Sequence, residues 1–69
     1  MMSIPREIDN DECRRALRYV HDVGRVVMTD VPEPLETGAL LWHGLVEVKD
    51  GAFSITVRGL QVLAEWEKT

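Results

Sequence analysis

One cysteine and four aromatic residues, one Phe, one Tyr and two Trp, are all this chain of 69 residues has of the side chains that most often cross-link or anchor a small protein. A lone Cys13 excludes an internal disulfide, and with no Cys or His at ligand spacing it anchors no zinc site. It falls on the apolar side of the first helix and reads as a small core residue. Long apolar runs are also missing. The stretch 39–42 is among the longest, far short of the roughly 20 residues a membrane helix needs. The start MMSIPREIDNDE has neither the basic opening nor the apolar run of a secretory signal, so a cytosolic location is expected. Positive charge is scarce too: 8 Lys and Arg stand against 12 Asp and Glu, for a net charge of −4. That sign opposes binding of nucleic acid by bulk phosphate neutralisation, although a local patch can outweigh a total.

Catalytic patterns are equally sparse. His21 and His43 have no Ser, Cys or third polar group at recognisable triad spacing. Asp9, Asp11 and Glu12 lack the glycine turn and spaced ligands of a calcium loop and read as acids at a helix start, where the dipole favours them. Neither a phosphate-cradling glycine loop nor a dinucleotide fingerprint occurs. The expectation is a protein without enzymatic activity, cofactor, metal or small-molecule substrate.

What is present suits one small folded domain over residues 1–69, with 45% apolar and 29% charged residues. A chain this short buries only about 60% of its unfolded surface, so its core is marginal. Residues 1–8, with Pro5 and no periodicity, read as a loosely ordered arm. A helix then starts at Asp9, Asn10 or Asp11, and Cys13, Ala16, Leu17, Val20, Gly24 and Val27 recur at three- and four-residue steps as its buried stripe. At about 100° per residue, Arg14, Arg18, His21 and Arg25 share the opposite side, with Arg15 beside them. This row is the chain's one basic concentration.

Two prolines break the helix over residues 29–34. Pro34 suits the first turn of a second helix that runs through Leu35, Ala39, Leu40, Leu41 and Trp42 to a stop at Gly44. Gly38 in its middle costs about 1 kcal/mol relative to Ala, so this helix needs packing to hold it. Then Val46, Val48, Phe53 and Ile55 alternate with polar residues about Asp50-Gly51, the pair that suits a two-residue type I′ turn. The implied register sets Lys49 against Ala52, Val48 against Phe53, Glu47 against Ser54 and Val46 against Ile55. Thr56 can cap a last helix carrying Val57, Leu60, Leu63 and Ala64 on one side and Val62 with Trp66 on the other. The fold expected is therefore α+β, helix, helix, β-hairpin, helix.

The ordered set Leu40-Leu41-Trp42-His43-Gly44-Leu45-Val46-Glu47, a hairpin tipped by Asp50-Gly51, and Ile55-Thr56-Val57-Arg58-Gly59-Leu60 resembles the second half of a winged-helix domain of the MarR or ArsR type. The likeness covers about half the chain and implies a recognition-position helix, a wing and a closing helix. It also implies a second helix ahead of the recognition helix, for which the residues after Met28 leave no room. Either the first helix takes that role or the domain is a shortened derivative. Glu33 and Glu36 stand where DNA-reading relatives present Arg, Lys, Asn, Gln or Ser, and the wing tip holds one cation, Lys49.

Two functions are compatible with these residues. One is a protein-binding or self-associating accessory module, of a kind common in phages and other mobile elements, whose interface is Trp66, Val62 and Trp42, with Arg14, Arg18 and Arg25 available to meet an acidic partner. In the competing arrangement Val62 and Trp66 pack on the first helix of their own chain. The other function is a reduced winged-helix DNA-binding regulator, with Arg14, Arg15, Arg18, Arg25, Lys49 and Arg58 as phosphate contacts. A continuous stripe joining the first helix, the wing and Arg58 would favour DNA and scattered cations would not; the competing reading of the Arg row is an ordinary solvated face paired in part with Asp11 and Asp22 at helical spacing.

Overall fold

A computed structural model describes residues 3–68. In chain order the elements are α1 (Asp11–Val23), β1 (Val26–Val27), a one-turn 3₁₀ helix (Met28–Asp30), α2 (Pro34–Trp42), β2 (Val46–Lys49), β3 (Ala52–Ile55) and α3 (Val57–Glu67). Three helices thus accompany a three-stranded antiparallel sheet of order β1-β3-β2. The layout is α+β and compatible with a winged-helix-like fold. Only the 3₁₀ turn stands between β1 and α2, where a complete winged helix would have a further helix.

Local chemistry explains the boundaries. The Asn10 side chain accepts the Cys13 amide at 2.8 Å and caps α1, with Asp11 and Glu12 in its first turn. α1 is shorter than its periodicity suggests, because Gly24 adopts φ 90 and returns its amide to Val20 O at 2.8 Å. Val27, expected on the helical stripe, instead pairs with Ala52, and its neighbour Val26 with Phe53, as a third strand. β-branched residues just past a left-handed glycine fit a strand better than a helical turn. α2 ends in a Schellman arrangement: Gly44, at φ 78, donates to Leu41 O at 3.0 Å, and Leu45 donates to Leu40 O at 2.9 Å. The hairpin has the expected register at all four pairs, and Asp50 and Gly51 take φ 54 and 75, as a type I′ turn requires.

Thr56 joins these pieces. Its hydroxyl accepts the Gly59 amide at 3.0 Å as the cap of α3 and donates to Gly44 O at 2.7 Å, while its amide donates to Leu45 O at 3.0 Å. The start of α3 is thereby laid on the α2–β2 corner. Gly59 is the contact point, for a Cβ there would lie 2.6 Å from Ile55 Cγ1 and 3.0 Å from the Leu45 carbonyl carbon. That approach rolls α3 so that Gly59, Val62, Leu63 and Trp66 face inward and Val57, Leu60 and Ala64 face solvent. The expected partition of α3 is nearly inverted, because a glycine that serves as a packing surface carries no weight in an apolar pattern.

The core gathers Cys13, Ala16, Leu17 and Val20 of α1 with Leu40, Leu45, Val46, Phe53 and the inward residues of α3. Ile8 is fully buried in it and Ile4 packs against it, so the segment expected as a loose arm is anchored from residue 4 onward; Met1 and Met2 lie outside the described residues. A fully buried isoleucine offsets the ordering of a short N-terminal turn. Among the described residues no helix is long and apolar enough to cross a membrane.

Candidate functional site

The two tryptophans occupy opposite environments. Trp66 is 7% exposed, its indole N–H donates to Asp9 Oδ1 at 3.1 Å, and the Arg14 guanidinium lies 5.5 Å from its ring centre. Val62 is buried beside it. Both residues therefore belong to the interior of their own chain, and the expectation that they form an exposed interface gives way to the competing packing on α1. The physical reason is the Gly59 contact, which turns that side of α3 inward. Arg14 also donates to Asp9 at 2.9 Å; this bond, aided by the Trp66 N–H and opposed by partial desolvation, holds the Asp9 carboxyl below the usual aspartate range.

Trp42, by contrast, is 85% exposed at the end of α2. Around that helix Thr37 and Leu40 point inward, the Thr37 hydroxyl donating to Glu33 O at 2.9 Å. At 3.6 residues per turn, Pro34, Leu35, Gly38, Leu41 and Trp42 fall within about 120° on the outward side. All five are exposed, Leu35 by 83%. The only charged residue of α2 is Glu36, which lies off this arc. A helix apolar on both sides is the pattern of one covered on both sides. The sequence named Trp42 as an interface candidate but not the exposed stripe around it, because Leu35 and Leu41 read equally well as core.

The basic row does not form one stripe. Arg14 pairs with Asp9, Arg15 with Glu33 at 3.0 Å, and Arg18 with Glu67, so each is matched by an acid from another part of the chain. Arg25 has left the row, since α1 ends before it, and its guanidinium donates to the wing-tip carbonyls of Lys49 and Asp50 at 3.5 and 3.3 Å. Lys49 and Arg58 make no ion pair among the described residues. His21 meets Asp22 and His43 meets Glu7, each at 3.1 Å, and the two imidazoles share no partner. Cys13 is buried, and that burial pushes its thiol up. Among the described residues no group of three or more His, Cys, Asp or Glu could hold a metal ion.

One groove reaches Pro32 and Glu33, the two residues that precede Pro34. It encloses about 470 Å³ between α1 and the entry to α2 and is lined by Arg15, Arg18, Tyr19, Asp22, Pro32 and Glu33. The Arg15–Glu33 bond joins its two walls, and Tyr19 is 41% exposed in it. Comparison of the chain with protein families, with curated proteins and with solved structures returns no match.

Proposed function

We propose that this chain is a non-enzymatic binding module that docks on another polypeptide through the outward face of α2, in a reduced winged-helix-like frame and in a cytosolic setting. The observation that carries the reading is the uncharged stripe of Pro34, Leu35, Gly38, Leu41 and Trp42, with Leu35 and Trp42 each more than four-fifths exposed. Tryptophan at such a place is the commonest kind of energetic centre in a protein interface. The helix that would read bases in a DNA-binding relative here offers no exposed Arg, Lys, Asn, Gln or Ser to a base edge, the Trp42 indole N–H being its one exposed side-chain donor. One observation favours the duplex-binding alternative: Arg25 is drawn to the wing tip, next to Lys49. Three of the six cations that alternative needs are already matched by carboxylates, which leaves a small phosphate footprint.

A photocrosslinking residue placed at position 42, compared with one at the exposed Gln61 of α3, tests the reading inside cells. A discrete protein adduct from position 42 and none from 61 is expected. Equal yields from the two positions, or adducts to nucleic acid, would overturn it.

A further inference from the structure

α2 contains a glycine that its own chain does not use. Gly38 is the midpoint of Pro34–Trp42, with four residues on either side. A Cβ there would meet nothing within 4 Å, and its φ is not positive, so neither a turn nor an internal close approach requires glycine. Glycine is nonetheless the poorest helix former after proline. It sits in the centre of the outward stripe, flanked by Pro34 and Leu41 on one side and Leu35 and Trp42 on the other. A missing side chain at the centre of an exposed helix face is what lets a second helix approach closely.

The two ends of that face are complementary. At the C-terminal end Trp42 projects 85% exposed. Toward the other end, where Pro32 and Glu33 lead into Pro34, lies the open groove of about 470 Å³, within the size range of small-ligand clefts. Its Tyr19 ring and Pro32 offer apolar walls, and the Arg15 and Arg18 guanidiniums, each paired edge-on with a carboxylate of Glu33 or Glu67, can still lie against the face of an aromatic ring, with Asp22 completing the lining. The chain already makes that pairing internally, where Arg14 lies over Trp66. Trp, Tyr and Arg are also the residue types enriched at the energetic centres of interfaces.

Resting on the docking reading of α2, we infer that the occupant of its outward face is a second copy of this chain. The two α2 helices run antiparallel about a two-fold axis over Gly38, and each Trp42 enters the groove of the other copy. A knob and a hole at opposite ends of one helix are matched by antiparallel pairing. The match is isologous and closes at two chains. The stripe carries no charge, and the charged residues of the groove, Arg15 and Arg18 against Asp22 and Glu33, sum to zero, so the contact carries no net charge of its own.

Sedimentation velocity of the purified full chain, from low micromolar to submillimolar concentration, tests this. The parent is expected to dimerise. Trp42→Ala weakens the dimer by at least about 30-fold, and Gly38→Leu yields a folded monomer, because its new side chain meets open space within one chain. Trp42→Ala and Tyr19→Asp are each monomeric, with helical circular dichroism retained. Mixed in equal amounts they form a heterodimer, because the Tyr19→Asp chain supplies an intact Trp42 and the Trp42→Ala chain an intact groove. A parent that stays monomeric throughout overturns the second copy; a crosslink from position 42 to a protein of different mass then leaves the docking face standing. A dimer indifferent to Gly38→Leu, or two variants that do not complement each other, overturns the two-fold arrangement.

Discussion

α2 and α3 are short apolar helices, each with a tryptophan at or near its end, and they differ in what their own chain supplies. α3 has its partners at home: Gly59 seats it on the Leu45 carbonyl, Val62 and Leu63 enter the core, and Trp66 is held by Asp9 and Arg14. Its solvent side mixes the apolar Val57 and Leu60 with Arg58, Gln61 and Glu67. α2 buries Thr37 and Leu40 and turns Pro34, Leu35, Gly38, Leu41 and Trp42 outward with no charge among them. Apolar side chains thus serve folding in one helix and are left over in the other. The position of a side chain relative to a close backbone contact decides between the two.

The sharpest way to break the contrast is at Gly59. Gly59→Ala drives a methyl into backbone as well as side chain, and backbone cannot swing aside, so a loss of more than about 4 kcal/mol is expected. In a domain whose total stability is about that size, the variant should be unfolded at room temperature by circular dichroism. Adding Ile55→Ala should not rescue it, since the Leu45 carbonyl remains in place. A double variant with the parent's melt would show that side-chain crowding alone sets the roll of α3.

Next in size is the comparison of the two tryptophans. Trp66→Ala should cost about 3–5 kcal/mol in chemical denaturation, as for a large core residue. Trp42→Ala, measured at a concentration where the chain is monomeric, should change stability by less than about 0.5 kcal/mol. Similar losses at the two positions would mean that Trp42 has a partner within its own chain.

The smallest effect sharpens the account of Trp66. Because the folded state holds the Asp9 carboxyl below its ordinary value, Asp9 contributes stability above the aspartate range, and that contribution is lost as pH falls through the depressed folded value. Asp9→Asn should therefore melt below the parent near neutral pH and converge with it in acid. Parallel melting curves across the acid limb would remove Asp9 from the support of Trp66.

The sequence by itself determined the parts of this protein that depend on neighbours along the chain. Asp50-Gly51 between alternating residues dictated the turn and all four strand pairs, since φ above zero at two adjacent positions and a period of two leave one register. Thr56 as a cap, Pro34 at a helix start and Gly44 at a helix stop were legible for the same reason: each satisfies or removes backbone groups within a few residues. Trp42 could be named from the sequence as an interface candidate, though not the exposed stripe of which it is part. Only the tertiary structure decided that Val26 and Val27 leave α1 to pair with β3, that Ile8 enters the core, and that Arg14, Arg15 and Arg18 each meet an acid from outside their helix. It also chose which side of α3 faces inward. A helical pattern states how many apolar residues share an arc, whereas the roll of the helix is set by the closest approach of two backbones; at Gly59 that approach is made by the residue with no side chain to announce it.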